Sequence, residues 1–176
     1  MSTVIGMVDN GKVWIGADSY ATTSEGERRR MVCEKIFTNG PYIIGFIGSV
    51  RTGQVVKPEY FKPPKELYQF PDALLAQFKE KGCLAINSDN QCVLQESNFL
   101  IGTPDGRLHE ILVDFQMNEI EDFTAVGSGS AFALGSLFTT KNQKDPRKRI
   151  ITALKAAAEY YMSTGPPFVV QEFLED

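Results

Sequence analysis

Histidine is almost absent from this chain, and its scarcity limits the catalytic chemistry available. Among 176 residues the only histidine is His109, which lies in the alternating segment 107–112, after the turn signal Pro104-Asp105-Gly106. No G-x-S-x-G sequence is present either. A serine nucleophile activated by histidine therefore has little support, and we expect His109 to be structural.

Other features are missing as well. The three cysteines, Cys33, Cys83 and Cys92, are odd in number and lack the paired spacing of a zinc site, which predicts free thiols in a reducing compartment. No apolar run approaches the roughly 20 residues that span a bilayer, and the N-terminus has no signal-peptide pattern. The chain is therefore expected to be cytoplasmic, with no membrane partner.

Charge argues against a nucleic-acid partner. The net charge is -4, and the one dense basic run, Arg28–Arg30, follows a polar stretch that we interpret as a solvated loop. An apolar content of 43% is enough to bury a substantial core, so residues 1–176 are predicted to form a single globular domain.

The N-terminus offers a nucleophile that needs no histidine. The chain starts Met1-Ser2-Thr3 and continues into an apolar run. If Met1 is removed, Ser2 acquires a free α-amino group, and this amine, with a pKa of about 7.7–8, can accept the proton of the Ser2 hydroxyl near neutral pH. Ser2 would then carry its own base.

Hydrophobic periodicity predicts an α+β chain. Strands are expected over residues 3–8, 12–17, 33–38, 42–47, 83–87, 91–95, 99–103, 107–115, 123–126 and 168–173. Helices are expected over residues 73–81, from 131 to 138, and from 146 to about 162. We expect the first four strands to share one sheet, the later ones to form a second sheet, the helices to cover the outer faces, and the proline-rich segment 57–71 to be irregular.

Six short motifs occur in order along the chain. They are Ser-Thr-Val-Ile-Gly at 2–6, Gly-Ala-Asp-Ser at 16–19, Glu-Lys-Ile-Phe at 34–37, Ile-Gly-Phe-Ile-Gly at 44–48, Gly-Ser-Gly-Ser at 127–130 and Thr-Gly at 164–165. In this order and spacing the chain resembles the proteasome β-type subunits, and especially HslV, the peptidase of a bacterial ATP-dependent protease. The resemblance implies the N-terminal nucleophile hydrolase fold, a four-layer αββα sandwich.

The resemblance also implies a catalytic set. Ser2 occupies the position of the family's threonine nucleophile, and Asp18 and Lys35 match its acid and its lysine. Gly45 matches the glycine whose N–H binds the oxyanion, and Ser128 matches the serine near the terminal amine. The alternative for Asp18 and Lys35 is a structural ion pair, and Ser128 could also be a helix N-cap, a role compatible with the first.

Substrate and partners follow from the same resemblance. Ala21, Cys33, Ile43 and Ile47 fall at positions that line the substrate pocket, which implies a small apolar pocket and an uncharged, modest-sized side chain before the cut bond. The implied substrate is a peptide or unfolded protein, and the implied assembly is a homo-oligomer such as a ring. This chemistry needs no metal and no organic cofactor. Because no G-x-x-x-x-G-K-[S/T] loop is present, ATP would act through a separate unfoldase.

Several departures leave other functions open. Serine replaces the usual threonine, Tyr161 stands where proteasomes have an aspartate, and residues 51–71 replace a long family helix that helps to build ring contacts. The leading hypothesis is an N-terminal serine peptidase. The alternatives are an inactive assembly or binding subunit, a hydrolase or ligase acting on a small amide, and a peptidase that uses Thr3 after loss of both preceding residues.

Overall fold

Two antiparallel sheets face each other in the computed structural model of the chain, which describes residues 2–22, 27–30 and 34–173. The strands are β1 (Thr3–Asp9), β2 (Lys12–Ala17), β3 (Tyr20–Thr22), β4 (Arg28–Arg30), β5 (Ile36–Asn39), β6 (Tyr42–Ile47), β7 (Leu84–Ile86), β8 (Cys92–Leu94), β9 (Asn98–Gly102), β10 (Leu108–Ile111), β11 (Met117–Ile120), β12 (Phe123–Gly127) and β13 (Val169–Glu172). The order is β12-β1-β2-β13 in one sheet and β11-β10-β9-β6-β5 in the other.

The helices lie outside the two sheets. They are α1 (Val50–Gln54), α2 (Phe70–Glu80), α3 (Ser130–Thr139) and α4 (Pro146–Tyr160), with one 3-10 turn over Leu67–Gln69. The helix α2 packs on the five-stranded sheet, and α3 and α4 pack on the four-stranded sheet. None of the helices in the described part of the chain has the length and apolarity that crossing a membrane requires.

A layer of aliphatic side chains fills the space between the sheets. Both sheets contribute buried side chains to this layer. They include Val4, Ile15, Ile36, Ile43, Leu100 and Leu108. A second cluster lies between the five-stranded sheet and α2, and a third lies between the four-stranded sheet and α3 with α4. The layer order is αββα, which confirms the predicted fold class.

Local signals predicted individual elements well. Asn10 and Gly11 have φ angles of 51° and 73°, as a tight hairpin requires, and β1 pairs with β2 from Val4↔Ala17 to Asp9↔Lys12. The side chain of Asp145 accepts a hydrogen bond from the N–H of Lys148 at 3.0 Å, so α4 begins with the predicted cap.

The predicted sheet membership was wrong. The hairpin β1-β2 and the hairpin β5-β6 belong to different sheets, and β12 pairs with β1 rather than with the later strands. Within the described residues, the strands β7 and β8 form a separate two-stranded sheet. A turn sequence determines which strands are neighbours in a hairpin, whereas the sheet that the hairpin joins depends on contacts distant in sequence.

Three further segments differ from the prediction. The run Arg28–Arg30, expected in a loop, forms the exposed strand β4 and pairs with β3. The strand expected over 107–115 ends at Ile111, and β11 returns after a turn. The strand expected from Cys33 begins at Ile36 in the described residues, and Cys33 itself lies outside them.

Candidate active site

Asp18 follows β2 and accepts hydrogen bonds from four donors. Its Oδ1 accepts from the Lys35 ammonium at 2.6 Å and from the Thr3 N–H at 2.9 Å. Its Oδ2 accepts from the Tyr20 N–H at 2.9 Å and from the Gly165 N–H at 3.4 Å. The side chain is fully buried, so these donors replace the water that an ionised carboxylate requires.

Lys35 brings a buried positive charge to the same point. Its Nζ lies 2.6 Å from Asp18 Oδ1 and donates to the Tyr20 carbonyl at 2.6 Å, and 8% of its side chain is exposed. The Lys35 carbonyl accepts from the Phe46 N–H at 3.1 Å, which attaches this residue to β6. The ion pair therefore connects the four-stranded sheet to the five-stranded sheet at one end of the sandwich.

Ser2 lies at this end, immediately before β1. It is 5% exposed, and its carbonyl accepts a hydrogen bond from the Ser128 N–H at 3.0 Å. Gly127 has a φ of 98°, and a Cβ there would stand 2.0 Å from the carbonyl oxygen of Ser2. The close approach of the Ser2 and Gly127 backbones therefore requires glycine. Among the described residues no hydrogen bond engages the Ser2 hydroxyl.

Hydroxyl pairs hold the start of β1 to the loop after α4. The Oγ atoms of Ser128 and Ser163 are 2.8 Å apart, and the Oγ1 atoms of Thr3 and Thr164 are 2.6 Å apart. Ser163, which the sequence interpretation passed over, is thus the partner of Ser128, whereas Thr164 contacts Thr3. The N-cap position of α3 is Gly129, so Ser128 does not cap that helix.

Thr3 is poorly placed to be the nucleophile. Its side chain is fully buried with its hydroxyl on Thr164, and its backbone N–H donates to Asp18. Because side chains alternate along a strand, Val4 faces the inter-sheet core, and Ser2 is on the same side as Val4. This geometry favours Ser2 over Thr3.

Gly45 lies in the interior of β6, where its Cα faces the core. It pairs with Ile36 on one side and with Leu100 on the other, and a Cβ would stand 2.9 Å from atoms of Val4 and Ile15. Backbone N–H groups in a central strand are used by the sheet. The oxyanion role of Gly45 stays a prediction that this placement does not favour.

Gly48 is the alternative that the sequence interpretation missed. It follows the last residue of β6 with a φ of 109°, and a Cβ there would stand 2.2 Å from the Ser97 hydroxyl oxygen. The neighbouring Ile47 reaches within 3.3 Å of the position that a Cβ on Gly127 would occupy, so this end of β6 adjoins the Ser2 contact. A second glycine in the Gly-Phe-Ile-Gly motif was the available signal.

The expected pocket residues separate into three groups. Ala21 in β3 and Ile47 at the end of β6 are half-buried near the Asp18–Lys35 pair and near Gly127, respectively. Ile43 is only 1% exposed in the inter-sheet core, and its pocket role stays a prediction that this placement does not favour. Cys33 lies outside the described residues.

His109 is buried in β10, 4% exposed, with its Nε2 3.5 Å from a carboxylate oxygen of Glu119. Burial lowers the pKa of His109 below its usual value. Among the described residues, the ion-pair contact of the His109 ring is with Glu119 and not with the groups around Ser2. Across 2–22, 27–30 and 34–173, no cluster of three or more His, Cys, Asp or Glu side chains could hold a metal ion.

No protein-family model matches the chain, and no curated protein matches it. Solved structures do. BPH from Thiobacillus denitrificans in complex with epoxomicin is 22% identical, with a TM-score of 0.82 over 97% of both chains. HslV from Trypanosoma brucei is 17% identical, with a TM-score of 0.72 over 97% of this chain and 98% of that one. The Gly-1 mutant of Anbu from Hyphomicrobium sp. strain MC1 is 13% identical, with a TM-score of 0.72 over 97% and 80%.

These likenesses identify the fold. The chain has the N-terminal nucleophile hydrolase fold, with two facing antiparallel sheets between helical layers. Within that class its fold is that of the proteasome-like proteins, which confirms the resemblance inferred from the six motifs.

Proposed function

We propose that this chain is a proteasome-like peptidase whose nucleophile is Ser2, exposed by removal of Met1. The observation that carries the proposal is the shared anchoring of the first strand: Asp18 binds both the Lys35 ammonium and the Thr3 N–H, beside the start of β1. A structural ion pair alone would not need to bind the backbone adjacent to Ser2.

The chemistry uses the terminal amine as the base. The α-amino group of Ser2 takes the hydroxyl proton, directly or through water, as the oxygen attacks the peptide carbonyl. The proton then passes to the leaving amine, the C–N bond breaks, and an acyl ester remains on Ser2. Water attacks this ester with the same amine as base, which releases the carboxylate and restores the hydroxyl.

Charge around the nucleophile assists these steps. A nearby ammonium favours loss of a proton from a neighbouring hydroxyl, so Lys35 would promote the reactive state of Ser2, with Asp18 as a positioning residue. Developing negative charge on the carbonyl oxygen requires an N–H donor that the sheet does not use. We assign this donor to Gly48, with Gly45 as the alternative, and place Ser128 beside the terminal amine.

The substrate is a peptide or an unfolded protein with a small, uncharged side chain before the cut bond, contacted by Ala21 and Ile47. BPH, a protein of the same fold, is found in complex with epoxomicin, which supports a ligand-binding site in this fold. We further propose a homo-oligomer, with any ATP-dependent unfolding supplied by a separate protein.

Paired substitutions at Ser2 test the proposal. With a fluorogenic peptide that has alanine or valine before the cleaved amide, Ser2→Ala should abolish turnover, while Ser2→Thr should retain it because threonine carries the same hydroxyl. Both variants should unfold at the wild-type denaturant midpoint. Turnover by Ser2→Ala at the wild-type rate would contradict the proposal.

A further inference from the structure

Two edge strands, β11 and β12, face each other along one side of the sandwich. The strand β11 is the edge of the five-stranded sheet, and β12 is the edge of the four-stranded sheet. Residues 121–122 join these strands directly, so the two sheets are linked at one end of this side. The other end lies beside Ser2, because β12 runs from the connection to Gly127, which contacts Ser2. We name the space between β10, β11 and β12 the edge slot.

The inner side chains at the edge slot are polar, whereas the rest of the inter-sheet layer is aliphatic. Ile47 and Leu100 face that layer. Asn98 lies opposite Ile47, and Glu110 lies opposite Leu100. Directly opposed residues of antiparallel strands share a face of the sheet, so Asn98 and Glu110 also face the other sheet.

Glu110 is hydrogen-bonded across the slot. Its carboxyl group accepts from Nδ2 of Asn98 at 3.3 Å and from the Thr124 hydroxyl of the opposite sheet. Thr124 is on the inner side of β12, because it pairs with Gly6, where a Cβ would stand 2.8 Å from the Leu108 side chain. The residues Asn98, Glu110 and Thr124 are all half-buried. The carboxyl group is therefore held in place by two neutral donors and is still partly accessible.

No cation balances this carboxylate in the described part of the chain, where Glu110 forms no ion pair. Burial raises the pKa of Glu110, because an ionised carboxylate is poorly solvated there without a positive partner. The one arginine between residues 98 and 127, Arg107, is bound to Asp105 at 2.7 Å. The same segment carries six acidic residues, Asp105, Glu110, Asp114, Glu119, Glu121 and Asp122. The slot therefore offers a negative charge to a cation from outside the chain.

The slot and Lys35 lie on opposite sides of Ser2. Neighbouring strands of the five-stranded sheet follow in the order β5, β6, β9 and β10, with Lys35 just before β5 and Ser2 beside the end of β6. Ala21, which we assigned to the residue before the cut bond, is on the Lys35 side, because Lys35 donates to the adjacent Tyr20 carbonyl. The peptide segment after the cut bond therefore continues towards β9 and β10.

A long basic side chain can span the distance to the carboxylate. Adjacent strands are about 4.8 Å apart, so Glu110, two strands away from Ile47, lies roughly 10 Å from it. An extended peptide advances about 3.3 Å per residue. A lysine side chain extends roughly 6 Å from its Cα, given bonds of about 1.5 Å. The first or second residue after the cut bond is thus within reach of Glu110.

We propose that Glu110, Asn98 and Thr124 form a subsite for a lysine or arginine side chain in the first two positions after the cut bond. The Glu110 carboxylate pairs with the ammonium or guanidinium group, while Asn98 and Thr124 fix the carboxylate in the slot. The inference rests on the proposed peptidase function for its place in the reaction. Binding of a basic peptide does not require cleavage, however, so the two proposals can fail separately.

Peptide binding to Ser2→Ala tests the subsite without turnover. Three labelled peptides with alanine before the cut bond carry lysine, glutamine or glutamate in both positions after it. By fluorescence anisotropy, the lysine peptide should have a dissociation constant about three- to tenfold lower than the glutamine peptide, as for an ion pair at a half-buried site. Adding Glu110→Gln should bring this ratio to about one. Equal binding of the lysine and glutamine peptides to Ser2→Ala, or binding of neither, would overturn the proposal.

Glu121→Gln is the matched control, because it removes the same charge from an exposed position between β11 and β12. It should leave the ratio unchanged, whereas Glu110→Lys should favour the glutamate peptide. If Glu121→Gln lowers the ratio as much as Glu110→Gln does, the preference belongs to the acidic segment as a whole and the subsite is wrong. With Ser2 present, kcat/KM should follow the same order of peptides. A binding preference without cleavage would count against the proposed peptidase and not against the subsite.

Discussion

At the scale of single residues, the two partners of the Asp18–Lys35 ion pair differ in the hydrogen bonds that they make to the backbone. Asp18 accepts three backbone N–H groups in addition to the ammonium. If Lys35 is replaced, the carboxylate keeps these three donors. If Asp18 is replaced, the three N–H groups lose their acceptor and the ammonium loses its carboxylate at the same time.

We therefore expect Asp18→Ala to lower the free energy of unfolding by about 3–5 kcal/mol, as for the removal of one partner from a buried ion pair. Lys35→Met should cost less, because methionine keeps the apolar stem and the Asp18 carboxylate keeps its backbone donors. Urea unfolding of both variants gives the comparison. Equal losses, or a greater loss for Lys35→Met, would mean that the backbone donors contribute little.

His109 gives a prediction about pH. Burial is the main cause of its lowered pKa, while Glu119 and Asp105 raise the pKa and Arg107 lowers it. Above about pH 6.5 the imidazole is neutral in both the folded and the unfolded chain. As pH falls below that value, the unfolded chain binds a proton that the folded chain does not, so the folded state loses stability.

His109→Gln should remove this dependence. The difference in free energy of unfolding between wild type and variant should be constant above about pH 6.5. As pH falls below that value, the wild type should lose more free energy of unfolding than the variant does. Taking the difference cancels the contribution of Glu110, whose pKa is raised by burial in the same strand. Parallel stability curves from neutral to mildly acidic pH would show that His109 is not buried as a neutral ring.

At the scale of elements, two buried amide side chains hold the proline-rich segment. Asn39 Nδ2 donates to the carbonyls of Val56 and Phe61, at 2.8 and 2.9 Å. Gln77 Nε2 on α2 donates to those of Val55 and Tyr60, at 2.9 and 3.0 Å. These four buried carbonyls therefore accept from side-chain amides, where a regular helix would supply backbone N–H donors.

Gln77→Leu should lower the free energy of unfolding by about 1–3 kcal/mol, because it leaves two carbonyls without this donor in a buried site. Gln143→Leu, at an exposed position between α3 and α4, is the matched control and should be nearly neutral. Chemical denaturation of the two variants decides the point. Similar small effects would show that water reaches the carbonyls under α2.

Two helical glycines should respond oppositely to alanine. A Cβ at Gly53 in α1 would lie 1.9 Å from the Phe46 ring, which is itself buried against other aromatic rings. Gly53→Ala should therefore destabilise the chain by about 1–3 kcal/mol. Gly135→Ala in α3 should stabilise it by about 0.5–1 kcal/mol, since the added methyl meets nothing within the chain. Thermal unfolding of the two variants checks both signs.

Sequence periodicity could predict elements but not their partners. The Asn10-Gly11 turn and the Asp145-Pro146 cap are local, and both were predicted correctly. Strand β4 carries three arginines with no apolar alternation, so only its pairing with β3 makes it a strand. The sheet to which β12 belongs depends on contacts with β1, about 120 residues earlier in the chain, which a local pattern cannot contain.

The candidate site shows the same division. The chemical types at Ser2, Asp18 and Lys35 could be placed by motif, and the structure brings the last two into contact. The glycine that follows β6 and the hydroxyl that contacts Ser128 could not be chosen from the sequence. Gly45 and Gly48 are the same residue, Ser163 and Thr164 are adjacent hydroxyl residues, and only the folded backbone distinguishes their positions.

At the scale of the whole molecule, the apolar core and the candidate site occupy different parts of the sandwich. The interior between the sheets is aliphatic, while one end collects Ser2, the Asp18–Lys35 pair and the loop after α4. The outer surface of α3 lies on the layer that covers the four-stranded sheet.

The central claim is that Ser2 is a live N-terminal nucleophile, and the intact mass of the purified protein tests it most directly. The mass should be measured before and after incubation with a peptide epoxyketone, which forms a stable ring only with a hydroxyl and an adjacent free amine. The account predicts loss of Met1, one adduct on the wild type and none on Ser2→Ala. Retained Met1 with no adduct would contradict it and would favour a binding or assembly function.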